Sequence, residues 1–288
     1  MDKKLYTPSK TKEIINKYGF RFSKSLGQNF LIDGNIIDNI CDGSNITKDD
    51  YVLEIGPGIG TLTQELCERA ERVIAIELDK RLIPVLNETL ENYDNFEVIN
   101  GDVLKIDLKE LFQDKFNNKK VKVVANLPYY ITTPIIMRLL EERLDIDKIV
   151  VMVQKEVAYR MKSGPGTKDY GSLSIAVGYY CDANIIVDVP KNVFIPKPNV
   201  DSAVISLDVY NKPKVNVEDE KLFFNIVRAA FSKRRKTLLN SLSKSTLGLE
   251  KDDIRNALES CDIDPKRRAE TLTIEEYAKL ANHIESIM

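Results

Sequence analysis

The chain reads as an α/β protein, a mostly parallel sheet of seven strands followed by a small helical domain. Three observations carry this expectation. Short Val- and Ile-rich runs alternate with segments of helical character through the first two thirds, the pattern of a parallel sheet with crossover helices. The strand signal then stops near residue 210. At 288 residues and 43% apolar, the chain is long enough for one large core and a smaller second unit. The expected division is 1–209 for the sheet domain, with a basic N-terminal segment, and 210–288 for the helical domain.

The strands in order are "YVLEI" (51–55), "RVIAIE" (72–77), "FEVIN" (96–100), "VKVVAN" (121–126) and "KIVVMVQ" (148–154), then "NIIVDV" and "SAVISLDV". The glycines and prolines of "SGPGTKDYGS" (163–172) mark a loop. Beyond it, "EKLFFNIVRAAF", "KTLLNSL", "KDDIRNALES" and "TIEEYAKLANHIESIM" read as helices, the last opened by a capping box of Thr273 and Glu276.

Composition excludes several classes. No stretch approaches the roughly 20 apolar residues of a membrane span, and "MDKKLYTPSKTKEIINKYG" is polar and Lys-rich rather than a signal peptide, so a cytoplasmic protein is expected. Cys41, Cys67, Cys181 and Cys261 lie far apart with no CxxC pair, which suggests neither a disulfide framework nor a zinc cluster. A single histidine, His283, leaves none for a triad or a multi-histidine metal site. The net charge of −2 is polarised: residues 1–30 sum to +5, residues 225–245 to +6 and the "KRR" at 266–268 to +3, leaving −16 for the remainder. One such run is ordinarily a solvated face. Three in an otherwise acidic chain point to an electrostatic footprint for nucleic acid.

In open α/β sheets, ligands bind at the carboxyl ends of the strands. The first strand ends in "LEIGPGIGTLT", where Gly56, Gly58 and Gly60 permit a tight turn and close approach of backbone to a ligand. Its spacing departs from the dinucleotide fingerprint, since Thr61 stands after Gly60. Glu77 ends the second strand, 21 residues beyond Gly56, where an acid can bond both ribose hydroxyls of an adenosine. Asp102, after the third strand, is placed to accept from an adenine amine. The three together imply an adenosine-containing ligand without naming it.

The fourth strand runs into "NLPYY". An exocyclic base amine is a poor nucleophile because its lone pair is delocalised into the ring. Methylating it calls for acceptors that hold its hydrogens while the nitrogen becomes tetrahedral. Asn126 offers an amide oxygen, Pro128 restricts Leu127 so that the Leu127 carbonyl can be a second acceptor, and Tyr129 offers a stacking face.

With these residues the sequence resembles the bacterial small-subunit ribosomal RNA adenine dimethyltransferases. "SLGQNFL", "LEIGPGIGTLT", "VIAIELD", "NGDVL", "NLPYYITTPII", "VFIPKPNVDSAV" and "AFSKRRKTLLNSL" fall in that family's order and spacing between about residues 20 and 275. The resemblance implies a doubly wound, Rossmann-like methyltransferase sheet and S-adenosylmethionine as methyl donor. It implies that Asn29 and Leu31 close over the cofactor, that Gly56 and Glu77 hold its methionine and ribose parts and that Asp102 contacts its adenine. Asn126, Leu127, Pro128 and Tyr129 would form the base site, and Phe194 would stack on the opposite face of the base. Lys233, Arg234, Arg235 and Lys236 would contact RNA. The implied reaction dimethylates two adjacent adenosines near the 3′ end of small-subunit ribosomal RNA, within an assembling subunit, by direct displacement that needs no metal; a monomer is expected. Three alternatives stay open at this point: a related resistance methylase acting on large-subunit RNA, a methyltransferase-fold RNA-binding or transcription factor without activity, and a dehydrogenase, which the glycine spacing disfavours.

Overall fold

The structure, a computed structural model, describes residues 4–20, 27–117, 119–245 and 247–288. Lys3, Arg21 and Lys24 of the N-terminal basic run, and Ser25 and Leu26 of "SLGQNFL", lie outside the described residues. The strands are β1 (Phe30–Leu31), β2 (Tyr51–Ile55), β3 (Arg72–Glu77), β4 (Phe96–Asn100), β5 (Val121–Asn126), β6 (Ile146–Gln154), β7 (Cys181–Val189), β8 (Phe194–Ile195) and β9 (Ser202–Val209). Seven of them form one sheet in the order β4-β3-β2-β5-β6-β9-β7. These are the seven expected strands, with β6 and β7 beginning a little earlier than the sequence suggested.

The strands from β4 to β6 are mutually parallel, and β9 runs antiparallel to β6. Val52, Leu53, Val123 and Val124 are fully buried, as expected of β-branched and apolar runs covered on both faces. The helices Thr61–Arg69, Ile83–Thr89, Leu108–Phe116 and Thr132–Glu141 make the crossovers between successive parallel strands. The chain winds outward from β2 through β3 to β4, then returns to the other side of β2 as β5 and continues to β6. The order therefore reverses between β2 and β5, and their carboxyl ends flank a topological switch point, where open α/β sheets place ligands.

The chain folds as two compact units, one of Met1–Ala158 with Asn184–Val209 and one of Tyr159–Ala183 with Tyr210–Met288. The first unit ends at Val209, and Tyr159–Ala183 groups with the C-terminal residues. Its helix Ser172–Tyr180 ("SLSIAVGYY") is apolar on most faces and buries Ile175, Ala176, Val177, Tyr179 and Tyr180, so it shows no amphipathic stripe that would assign it to one side. The helix Glu220–Phe231 is capped by Asp219, which accepts from the Lys221 and Leu222 amides at 2.7 and 3.0 Å. The last helix, Ile274–Ile287, has the expected Thr273–Glu276 capping box.

β1 and β8 are two residues each, too short to show alternation in sequence, and pair antiparallel with Leu31 opposite Phe194. Phe194 is 4% exposed and packs in the core with Leu31, Ile36, Met152 and Val189. Phe194→Ala should therefore destabilise the protein by roughly 3 kcal/mol or more, as other large-to-small core truncations do, with Phe194→Leu recovering most of the loss. Urea denaturation checks this; equal midpoints for wild type and Phe194→Ala would place the ring outside the core.

Candidate active site

The carboxyl ends of β2, β3, β4 and β5 open into a cleft of about 1080 Å³, the solvent at its mouth included. Asn29, Leu31, Gly56, Gly58, Glu77, Asp102, Asn126, Leu127, Pro128 and Tyr129 all line it. Phe194 does not. Just after this stretch, Thr132 donates its hydroxyl to the Pro128 carbonyl at 3.1 Å.

The glycine loop gives the cleft its floor. Gly56 has φ +71°, and a Cβ built there would meet nothing within 4 Å, so the space beside this backbone is open to a ligand. Gly58 has φ +64°, and a Cβ there would stand 3.0 Å from the Phe30 ring. The helix Thr61–Arg69 begins directly after the loop.

Residues 27–31 form a strap tied to three strand ends. Gln28 donates to Asp79 beyond β3 at 2.9 Å, the Phe30 ring lies against Gly58 beyond β2, and Asn126 at the end of β5 donates its Nδ2 to the Asn29 carbonyl at 3.1 Å. A carbonyl only accepts, so this last bond fixes which end of the Asn126 amide faces the strap. Among the described residues no donor reaches Asn126 Oδ1, which is left as an acceptor. The Leu127 amide bonds the Met152 carbonyl at 3.1 Å, and the Pro128 carbonyl takes the Ile131 amide and the Thr132 hydroxyl. No group among the described residues donates to the Leu127 carbonyl. Tyr129 is anchored through its hydroxyl to Ser202 Oγ at 2.6 Å.

Two carboxyls give the cleft its electrostatics. Glu77 accepts from the Asp79 amide at 2.7 Å and the Gly58 amide at 3.2 Å, yet burial outweighs these bonds and pushes it up to about 7. Glu54, which sequence reasoning passed over as a strand residue, is 1% exposed and lines the same cleft. Burial, with the charge of Glu77 as a lesser cause, pushes it up to about 8. Its Oε2 and the Oγ1 of Thr61, also lining the cleft, are buried without a hydrogen-bond partner. The signal for Glu54 was an acid inside an otherwise apolar strand. Asp102 accepts from the Leu104 amide at 3.0 Å and faces Lys105 at 3.6 Å.

The basic runs divide. Lys4 pairs with Glu65 and Glu68, Lys10 with Glu13, Lys17 with Glu88 and Arg267 with Glu276, so much of that charge is balanced within the fold. Lys233, Arg234, Arg235 and Lys236 are all exposed. Arg234 donates to the Lys168 carbonyl, a neutral partner, and none of the four pairs with an acid among the described residues.

The folded-state affinity of Glu54 for a proton exceeds its ordinary value near 4.5. The folded protein therefore holds a proton that the unfolded chain releases, and the carboxyl costs stability increasingly as pH rises from about 4.5 to about 8. Glu54→Gln removes that dependence. Its melting temperature relative to wild type should rise between pH 5 and pH 8, and a pH-independent difference would contradict the burial of this group.

Comparison with known proteins fits this geometry. Residues 19–286 match the family model described as ribosomal RNA adenine dimethylase. The chain is 61% identical to ribosomal RNA small subunit methyltransferase A of Alkaliphilus metalliredigens, over 98% of each chain. Among solved structures it resembles a dimethyladenosine transferase from Plasmodium falciparum (30% identity, 87% of this chain and 95% of that one, TM-score 0.72). It also resembles the 23S rRNA methyltransferase ErmE (25% identity, 89% and 99%, TM-score 0.68). With a doubly wound sheet, a strand-end cleft and these relatives in agreement, the chain belongs to the ribosomal RNA adenine dimethylase family of methyltransferases.

Proposed function

We propose that this protein binds S-adenosylmethionine in the strand-end cleft and dimethylates two adjacent adenosines near the 3′ end of small-subunit ribosomal RNA, acting as a cytoplasmic monomer on an assembling subunit. The observation that carries this reading is the Asn126 amide, oriented by the Asn29 carbonyl so that its oxygen remains an acceptor at the end of β5. Relatives named for the small subunit, at 61% and 58% identity, favour that RNA over the large-subunit substrate named for ErmE.

The cleft fits the cofactor on its own features. The space beside Gly56 admits a ligand against the backbone, Glu77 stands at the end of β3 for a ribose diol, and the orphaned Glu54 oxygen suits a cationic group. When bound, the cofactor supplies a methyl group made electrophilic by its sulfonium. Glu77 would hold the ribose, Asp102 the adenine amine, and Glu54 would complement the positive charge. Asn126 Oδ1 and the Leu127 carbonyl would accept the hydrogens of the target amine as its nitrogen turns tetrahedral, while Tyr129, fixed by Ser202, presents its ring to the base. These two oxygens would steady the amine while it exchanges one hydrogen for a methyl group, the hydrogen leaving as a proton. Catalysis is then mainly positioning. With Phe194 in the core, Tyr129 carries the stacking in this arrangement. The unbalanced charges at 233–236 would neutralise RNA phosphates.

Incubation with labelled S-adenosylmethionine and unmodified small subunits, followed by mass spectrometry of nucleosides, tests the reading. Dimethyladenosine at two neighbouring positions is expected; monomethyladenosine as sole end product would refute it. In the same assay Asn126→Ala should lower single-turnover rates by the equivalent of roughly 3 kcal/mol, by analogy with loss of one oxyanion-hole donor, with a much smaller change in cofactor affinity.

Reversal of Arg234, Arg235 and Lys236 to Glu should weaken RNA binding and flatten its dependence on salt, by roughly 0.7 to 0.9 in log–log slope for each phosphate no longer neutralised. Cofactor affinity should stay at the wild-type value. An unchanged slope in filter-binding titrations would return this run to a solvated face.

A further inference from the structure

Two large apolar side chains of the cleft stay open to solvent, Leu78 at 47% and Tyr130 at 55% exposure. Of the other large apolar residues lining it, Phe30, Leu31, Leu82 and Leu127 are buried and Tyr129 and Ile131 are half-buried. Tyr129 shows how a tyrosine is fixed for a structural task, by a hydrogen bond through its hydroxyl. Tyr130 has no such bond among the described residues, so nothing in the fold accounts for its ring by way of the hydroxyl.

The ring is nevertheless placed by two neighbours. Its Cδ1 and Cε1 lie 3.5 Å from where a Cβ of Gly27 would stand, and Gly27 itself has φ +61°. On the other side, the Asp102 carboxylate is near enough to add to burial in raising the Tyr130 phenol above its ordinary value. Tyr130 lines the same cleft as Gly101, Asp102 and Val103 of the turn after β4. On the proposed function the cofactor's adenine would lie at Asp102, in this same cleft.

We propose that Tyr130 is the cover of the cleft at Asp102, its ring closing on the adenine of bound S-adenosylmethionine and holding it against the Asp102 turn. The proposal rests on the reading of the cleft as a cofactor site. An aromatic ring and a purine that meet face to face both leave water, and such stacking is sequence-tolerant, strong and independent of a phenol hydroxyl. It also accounts for Gly27, because any side chain there would crowd the Tyr130 ring and stand 3.3 Å from Pro128 Cβ. A residue that holds the cofactor from the solvent side acts first on how long the cofactor stays.

Calorimetry and stopped-flow dissociation of S-adenosylmethionine from wild type, Tyr130→Ala and Tyr130→Phe test this. Tyr130→Ala should weaken binding roughly fivefold to a hundredfold, the range of one base–aromatic stack, with most of the change in the dissociation rate. Tyr130→Phe should bind within about twofold of wild type, since the ring and not the hydroxyl is the working part. Because the side chain is exposed, the Ala variant is expected to keep the wild-type melting temperature, which is measured alongside. Wild-type affinity and dissociation rate in Tyr130→Ala would overturn the proposal, and weakened RNA binding with unchanged cofactor binding would do so by making Tyr130 an RNA contact. A wild-type protein that binds no S-adenosylmethionine would overturn the reading of the cleft, and the proposal with it, before any variant is compared.

Discussion

The site depends on one constraint of the sheet, that β2 and β5 lie side by side and parallel although β3 and β4 intervene in the chain. This reversal leaves their carboxyl ends as neighbours with crossover helices leaving in opposite senses, and the opening between them is the cleft. The glycine loop on β2, Glu77 on β3, Asp102 after β4 and Asn126 on β5 converge for that reason alone. The strap at 27–31 then binds the ends together through Asp79, Gly58 and Asn126. Its bond to Asn126 also holds an acceptor oxygen in a defined direction. On the proposed function, preorganisation of this kind would avoid reorganising dipoles during the reaction.

The same cleft holds its acids at a cost. Burial in a low-dielectric setting pushes both Glu54 and Glu77 toward neutrality, and the charge of Glu77 adds to the effect on Glu54. A core built for stability alone would not place a carboxyl with an unpartnered oxygen at the end of a central strand. A cationic ligand reverses the balance by favouring the ionised form. The charge of the second unit follows the opposite logic, with an exposed basic run that no acid among the described residues neutralises, suited to a polyanion rather than to internal packing.

The fold was legible where burial and local pattern agree. Strands such as "VKVVAN" are apolar on both faces because helices cover both sides of the sheet, so each read directly from its Val and Ile content. The strand-end residues were legible because topology, not local sequence, decides where they meet, and the order of motifs revealed the topology. What escaped has physical causes. Two-residue strands carry no periodicity, so the β1–β8 pairing was invisible, and with it the packing of Phe194 against Leu31. The helix Ser172–Tyr180 has no polar face to mark its partner unit. Glu54 looked like one polar residue in a strand, and only the three-dimensional position made it a wall of the cleft. Charge counting overstated the N-terminal run, because pairing with Glu65, Glu68 and Glu88 is a tertiary matter.

If the ends of β2 to β5 hold a methyl donor, its reactive end must face Asn126. A crystal structure of the protein grown with S-adenosylmethionine would decide this. Electron density for the cofactor is expected in this cleft, with ribose oxygens within hydrogen-bond distance of Glu77 and the sulfonium methyl facing the space beside Asn126 Oδ1. Density for the cofactor elsewhere, or in the cleft with its adenine at Asn126 and its sulfonium at Asp102, would contradict that arrangement.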